Sequence, residues 1–314
     1  MRQARSTPET SADVRTWSVP READLGLRRI ANDVGLEISV LQNGSVFAIE
    51  HRTDARSILV SQVLASPIGG GIGRILLRFA ARRPTTCEVL GPRARVRLGV
   101  VRDAMVWEGT ASGIHHRVTL RLIPDTMAWV WCVEATNASR AAVPIDAVFL
   151  QDLGLGERAF VTNNEAYASQ YIDHHVASHP RHGPIIMSRQ NLAQGGHHPW
   201  VAHGCLEGAQ AFATDTMQLF GPRHRDASAI RLPFGTRLAD RRLQHEGACA
   251  AIQSLPATLE PGATTSWRFF ALYEPDHPAA SVDGDVTRVD AVAWPRSSAP
   301  TVATMHRTDR KSVV

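Results

Sequence analysis

The chain has 314 residues, 44% hydrophobic and 20% charged, enough apolar content and length to bury a full-sized core in one large domain or two ordinary ones. Its 34 basic and 30 acidic residues are scattered rather than gathered into a stripe, which argues against a nucleic-acid partner. No stretch approaches the apolar length that spans a bilayer, and the N-terminus carries charge without an apolar export segment, so a cytoplasmic protein with no membrane partner is expected.

Residues 1–34 are polar, arginine-rich and without periodicity, and are read as a flexible arm or linker. The fold is expected to start after Gly35, where EISVLQNGSVFAIEH sets Asn43-Gly44 between two apolar runs; this dipeptide supplies the positive φ angles of a tight hairpin. RVRLGVV alternates Val96, Leu98 and Val100 against Arg95 and Arg97. IHHRVTLRL sends Ile114, His116, Val118, Leu120 and Leu122 to one face and His115, Arg117, Thr119 and Arg121 to the other, the pattern of a half-buried strand. AWVWCVE is apolar on both faces and predicts a central strand covered from both sides, and TSWRFFALY is again strand-like.

Turn signals such as GPR, ASG, PDT, NAS and EPGAT space these runs as a large antiparallel sandwich would. The expected fold class is therefore all-β, a two-sheet sandwich over residues 35–278. Residues 279–295 follow as the start of a linker helix in SVDGDVTRVDAVAW, with Ser281 as N-cap and Asp283 and Asp285 at the positive end of its dipole. Residues 296–314 are expected to be a disordered tail. Lys311, in the closing DRKSVV, is the only lysine beside 33 arginines, and those six residues are also one frame of a common sequencing adapter, so the tail is expected to be partly non-native. Cys87, Cys132, Cys205 and Cys249 lie far apart without a CxxC pair and read as reduced thiols.

Residues 163–183, NNEAYASQYIDHHVASHPRHG, concentrate groups that bear chemistry. Asp173, His174, His175, His179 and His182 are potential metal ligands, but Pro180 spoils a helical His175–His179 pair, and no metal is expected. A strand through the first half sends Glu165, Tyr167, Ser169, Tyr171 and Asp173 to one face and Ala166, Ala168 and Ile172 to the other. Sugars suit such a surface, because aromatic rings pack on the C–H face of a pyranose while carboxylates, amides and guanidinium groups take its hydroxyls. The candidate sugar-binding residues are Asn164, Glu165, Tyr167, Gln170, Tyr171, Asp173, Arg189, Gln190, Asn191, His198 and Trp200. Histidines of a solvated loop, or amides and arginines that merely stitch loops, are the plain structural alternative.

No catalytic residue is nominated. Glu165 and Asp173 on one strand would stand about 27 Å apart at ~3.3 Å per residue, too far for a glycosidic acid–base pair. PIGGGIGR at 67–74 lacks the Lys-Ser/Thr that follows a phosphate-cradling loop and is read as a turn. Asn137-Ala-Ser139 matches a glycosylation acceptor that a cytoplasmic chain would not use.

With these residues in view, the chain resembles the N-terminal β-sandwich domain of glycoside hydrolase family 94, in its 1,2-β-oligoglucan phosphorylase and cyclic β-1,2-glucan synthase branch. The resemblance runs over roughly residues 35–290, through EISVLQNGSVFAIEH, SQVLASPIGGGIGR, QDLGLG, NNEAYASQYIDHH, SRQN with GGHHPW, LQHEGACAAIQS and FFALYEPDHPAAS. It implies a galactose mutarotase-like sandwich, a helical linker, an (α/α)6 barrel that holds the general acid, and a small C-terminal β-domain. It further implies that this chain is a fragment ending before the barrel, non-catalytic alone and lending loops to a sugar cleft. The implied partners are a β-glucan oligosaccharide, the barrel of the same polypeptide and, as an open option, a second copy in a homodimer. No cofactor is implied; inorganic phosphate is a co-substrate of the full-length enzyme only. A self-sufficient carbohydrate-binding or mutarotase-like module and a purely structural docking domain stay open as alternatives.

Overall fold

The alternation of IHHRVTLRL becomes a nine-residue strand whose Ile114, His116, Val118, Leu120 and Leu122 are buried while His115 is exposed. The structure, a computed structural model, describes residues 15–17, 27–62, 73–80, 84–101, 104–221, 232–245 and 247–295. Its strands are β1 (Arg15–Trp17), β2 (Arg28–Ala31), β3 (Leu36–Val40), β4 (Val46–Arg52), β5 (Ser57–Leu59), β6 (Arg74–Ala80) and β7 (Pro84–Leu90). After these come β8 (Arg97–Val101), β9 (Ala104–Ala111), β10 (Ile114–Leu122), β11 (Ala128–Asn137), β12 (Val143–Asp152) and β13 (Gly156–Glu157). Two short helices, α1 (Arg158–Asn163) and α2 (Glu165–Gln170), lead to β14 (Ile172–His179), β15 (Gly183–Gln190), β16 (Trp200–Cys205) and β17 (Ala209–Asp215). Helix α3 (Met217–Phe220), β18 (Ala248–Ser254), β19 (Ala257–Leu259), β20 (Thr264–Glu274) and a 3-10 helix (Asp283–Ala291) complete the order.

A nine-stranded sheet runs β1-β8-β9-β10-β11-β20-β16-β15-β14. It is opposed by a second layer in two pieces, a six-stranded sheet (β17-β18-β12-β6-β7, with β19 on β12) and a five-stranded sheet (β13-β5-β4-β3-β2). The all-β sandwich is thus present, with its second layer split where a single sheet was expected. Side chains of all three sheets meet in one core that includes Ile38, Leu77, Trp107, Val118, Trp131, Phe149 and Phe269. AWVWCVE lies centrally, as its two apolar faces predict: β11 pairs with β10 on one side and β20 on the other.

The Asn43-Gly44 hairpin joins β3 to β4, but the turn is longer than two residues. Gly44 N–H donates to Leu41 O at 2.9 Å, Leu41 N–H donates to Ser45 O at 2.8 Å, and among the turn residues only Gly44 has a positive φ, +88°. This is a type I turn closed by a left-handed glycine, which needs one positive φ rather than two. The fold also begins earlier than Gly35, because β2 pairs with β3 and the backbone of β1 pairs with β8.

Two further apolar layers cover the outer faces. Leu219, Phe220, Leu232 and Leu238 pack on the six-stranded sheet. The 3-10 helix lays Val286 and Val289, with Val292 beyond it, over Ile185, Met187, Trp200, Phe270 and Leu272 of the nine-stranded sheet. Its N-cap is Val282, whose N–H donates to Asp285 Oδ2 at 2.9 Å. Ser281, expected to cap it, instead accepts from Trp200 Nε1 at 3.0 Å. All four cysteines are free, and burial raises the Cys132 thiol to about 11, well out of the reactive range. Asn137 is fully buried and donates to Ala141 O and Leu259 O, so it serves as a turn staple, not a glycosylation acceptor. The PIGGGIGR loop up to residue 72 and the 296–314 tail lie outside the described residues. Among the described residues no helix is long and apolar enough to cross a membrane.

Candidate functional site

The nominated stretch does not begin as a strand. Residues 158–170 form α1 and α2, broken only at Asn164, and Ala168 N–H donates back to Asn164 O at 2.7 Å. A helix replaces the two-residue alternation with a three-to-four-residue repeat, so Glu165, Tyr167, Ser169, Tyr171 and Asp173 do not share a face. Ala168 and Ser169 turn inward, and the Ser169 hydroxyl donates to His245 O and accepts from Ala248 N–H, tying α2 to the start of β18. The strand-based separation of Glu165 from Asp173 falls with the strand.

The helical repeat brings different groups together. Tyr167 is 50% exposed, and its ring lies 4.9 Å from that of Tyr171 and 6.5 Å from that of Phe160. Tyr171 OH donates to Tyr167 OH at 3.2 Å, and this bond, followed by the neighbouring phenol's charge and then burial, raises the Tyr171 phenol. Asn164, Gln170 and Asn191 are exposed, and Asn191 N–H donates to Tyr171 O at 2.9 Å, which holds the loop after β15 beside the ring. Phe160 was missed, although Phe160, Asn164, Tyr167 and Tyr171 are spaced four, three and four apart, the signature of one helix face.

Other nominated residues are closed to a ligand. Trp200 is fully buried under the 3-10 helix and stacks on His277 with ring centroids 5.3 Å apart. Gln190 is fully buried; its amide donates to Gly154 O and Ala168 O and accepts from Leu192 N–H. Arg189 spends its guanidinium on His277 O, Pro278 O and Asn191 Oδ1. These three stitch loops, because a buried polar side chain must find partners within the protein. His198 is half-buried and bonded to Gln190 O through Nδ1. Asp173, half-buried, lies opposite Arg189 in the β14–β15 pair and keeps part of its surface open, as does Glu165 on α2.

The histidines divide by the faces of β14. His174 points inward, fully buried; burial first, then Arg242, lowers it to about 3, so it is a neutral core residue bonded to Ser188 Oγ. His175 and His179 point outward and meet Asp283 and Asp290 of the 3-10 helix at 2.7 and 3.2 Å. His179, His182 and Asp290 place one donor atom each within 4.8 Å of one another. The arrangement does not suit a metal, because the two imidazoles stack face to face, 4.4 Å apart and 14° from parallel, so their in-plane lone pairs run side by side. His179 Nδ1 accepts Arg181 N–H, His182 Nδ1 bonds Leu206 O, and Asp290 is also held by the Arg181 guanidinium. The cluster fastens the 3-10 helix to the sheet edge.

Comparison with known proteins places these features in a family. The SOGP N-terminal domain matches residues 39–271. The 1,2-β-oligoglucan phosphorylase of Listeria innocua serovar 6a is 28% identical over 200 residues, covering 63% of this chain and 18% of its own length. The chain thus spans under a fifth of that relative. Among solved structures, a polysaccharide lyase is 12% identical over 80% of this chain and 32% of its own, with a TM-score of 0.48. A putative aldose 1-epimerase of Escherichia coli K12 is 10% identical over 79% of this chain and 99% of its own, with a TM-score of 0.43. The match over residues 39–271 takes in the Asn43-Gly44 turn, the α1–α2 surface and most of β20, and by it the chain belongs to the SOGP N-terminal domain family.

Proposed function

We propose that this chain is the non-catalytic N-terminal domain of a larger cytoplasmic β-glucan phosphorylase-like or cyclic glucan synthase-like polypeptide. Its α1–α2 surface lends a sugar-contacting rim to a cleft whose catalytic barrel belongs to another part of that polypeptide. The observation that carries this reading is the pair formed by the exposed Tyr167 and the half-buried Tyr171 with its flanking amides, inside the span that matches the family. Two tilted phenol rings offer an apolar face and hydroxyls together, and Asn164, Gln170 and Asn191 add donors and acceptors around them, the chemistry a pyranose needs. The likeness to an oligoglucan phosphorylase supports a β-glucan as the sugar and inorganic phosphate as co-substrate of the full-length enzyme.

The reading is tested by titrating the chain with short β-1,2-glucans and assaying it for phosphorolysis. The expected result is weak, saturable binding that Tyr171→Ala reduces at least about three-fold, from loss of a stacking platform, with no release of sugar phosphate. Phosphorolysis by the chain alone, or binding indifferent to Tyr171→Ala and Tyr167→Ala, would overturn it.

A further inference from the structure

Two histidines are sealed between the layers of the sandwich. His203 of β16 lies in one row of the nine-stranded sheet with Ala271 of β20 and Trp129 of β11. It is fully buried: the Trp129 ring meets it edge to face with centroids 6.0 Å apart, and Phe149 of β12 stacks on it, also at 6.0 Å. Among the described residues, neither of its ring nitrogens has a hydrogen-bond partner. His174 of β14, 1% exposed, bonds Ser188 Oγ through Nδ1 at 2.9 Å, and its Nε2 has no partner. A neutral imidazole asks its surroundings for one donor and one acceptor, whereas an imidazolium brings two donors and a full charge.

No counter-ion faces the pair among the described residues. Arg242, a cation, donates to His174 O at 2.8 Å, and the titratable group that acts on His203 is His174 itself. Cys205, two residues along β16, is a thiol that burial keeps protonated. Asp146 of β12 pairs with Arg78, while Asp152 of β12, Asp215 of β17 and Glu165 of α2 act on neither imidazole. From β18, which packs on β16, Ala248, Ala250 and Ile252 enter the core. His51 of β4 lies against Tyr273 of β20, a phenol that burial keeps neutral. Asp283 and Asp290 of the 3-10 helix meet His175 and His179, which leave β14 outward. Burial therefore dominates: with a smaller contribution from His174 it lowers His203 to about 3, and with one from Arg242 it lowers His174 to about 3, against an ordinary 6.5.

We propose that His203 and His174 form an acid-sensitive lock in the sandwich core: the layers close over them while both imidazoles are neutral, and protonating either one opens the packing of β14–β16 against β12. The proposal is independent of the sugar rim on α1–α2. The sign follows from proton linkage. Unfolded histidines take up protons near 6.5 and these buried ones only near 3, so their contribution to stability is whole above 6.5 and is lost as pH falls toward 3. Between pH 7 and pH 5, above the range of the carboxylates, each of the two should raise the unfolding constant about 25-fold.

Urea unfolding of the whole chain at pH 7 and at pH 5 tests it. His203→Phe and His174→Asn should each cut the rise in the unfolding constant between the two pH values by about 25-fold, whatever they do to stability at pH 7. A packing role alone would change stability equally at both pH values, and His116, also buried and lowered to about 4, is present in every chain compared and cancels. Where a variant fails to fold, the native chain gives a second reading: the ring resonances of His203 and His174 should stay unshifted from pH 7.5 to pH 5. The proposal is overturned if both variants keep the native ratio of unfolding constants, or if either buried ring titrates in that range in the folded chain.

Discussion

Trp200→Ala separates a ligand platform from a core residue. Trp200 lies at zero exposure among Ile185, Met187, Ala202, Phe270, Leu272 and the valines of and beyond the 3-10 helix, and its indole N–H is satisfied by Ser281. An indole that buries roughly 200 Å2 contributes about 5 kcal/mol at ~25 cal/mol per Å2. Truncations of large aromatic side chains in cores cost about 3–5 kcal/mol. We therefore expect Trp200→Ala to lose about 4 kcal/mol in urea unfolding, a large share of the roughly 5–15 kcal/mol by which a domain is stable. Trp200→Phe keeps most of the apolar area and strands the Ser281 hydroxyl, so about 1–2 kcal/mol should be lost. An unchanged unfolding midpoint in Trp200→Ala, with a reduced affinity for a glucan, would instead make Trp200 a ligand platform.

Arg78 and Asp146 form a fully buried pair, with Arg78 Nε and a terminal nitrogen donating to the two carboxylate oxygens at 2.7 and 2.6 Å and Gln253 donating to Oδ2 at 3.1 Å. Asp146→Ala leaves the guanidinium buried and uncompensated and should cost about 3–5 kcal/mol by urea unfolding; a loss under about 1 kcal/mol would contradict the pairing. The 3-10 helix should show acid sensitivity. Asp290 is held below its ordinary value of 3.8, first by the His179 hydrogen bond, with burial opposing and Arg181 assisting. Asp285 is also lowered: burial would raise it, but the Val282 N–H, Arg288 and His277 outweigh that. A depressed folded pKa gives stability that is complete above 3.8 and is lost as pH falls through the folded value. Stability measured from pH 5 to 3 should therefore fall more steeply in the native chain than in Asp290→Asn. Parallel curves would show that the His179–Asp290 contact contributes nothing.

Much of the fold is legible in the sequence because each strand carries its own period. The alternation in IHHRVTLRL and the two-faced apolar run AWVWCVE state their environments, and Gly44 marks its turn. What stays hidden depends on partners distant in the chain. Nothing within RTW reports that β8 awaits it some eighty residues on, and the split of the second layer follows from pairing rather than pattern. The segment that carries the tyrosines reads as a strand in sequence and folds as two short helices. Six residues of α2 are too few for either repeat to dominate, and the arbitrating signal, Phe160, lay upstream of the stretch considered. Trp200 and Gln190 look like ligand groups by residue type, and burial alone reassigns them.

The chain contains three tyrosines, Tyr167, Tyr171 and Tyr273, and the last is 1% exposed in the core. Observing the ring resonances of labelled tyrosine while titrating short β-1,2-glucans therefore tests the proposed rim with an internal control. Saturable shifts of the Tyr167 and Tyr171 signals with Tyr273 unmoved are the predicted result; no shift at either of the first two rings at saturating glucan would contradict the sugar-contacting surface.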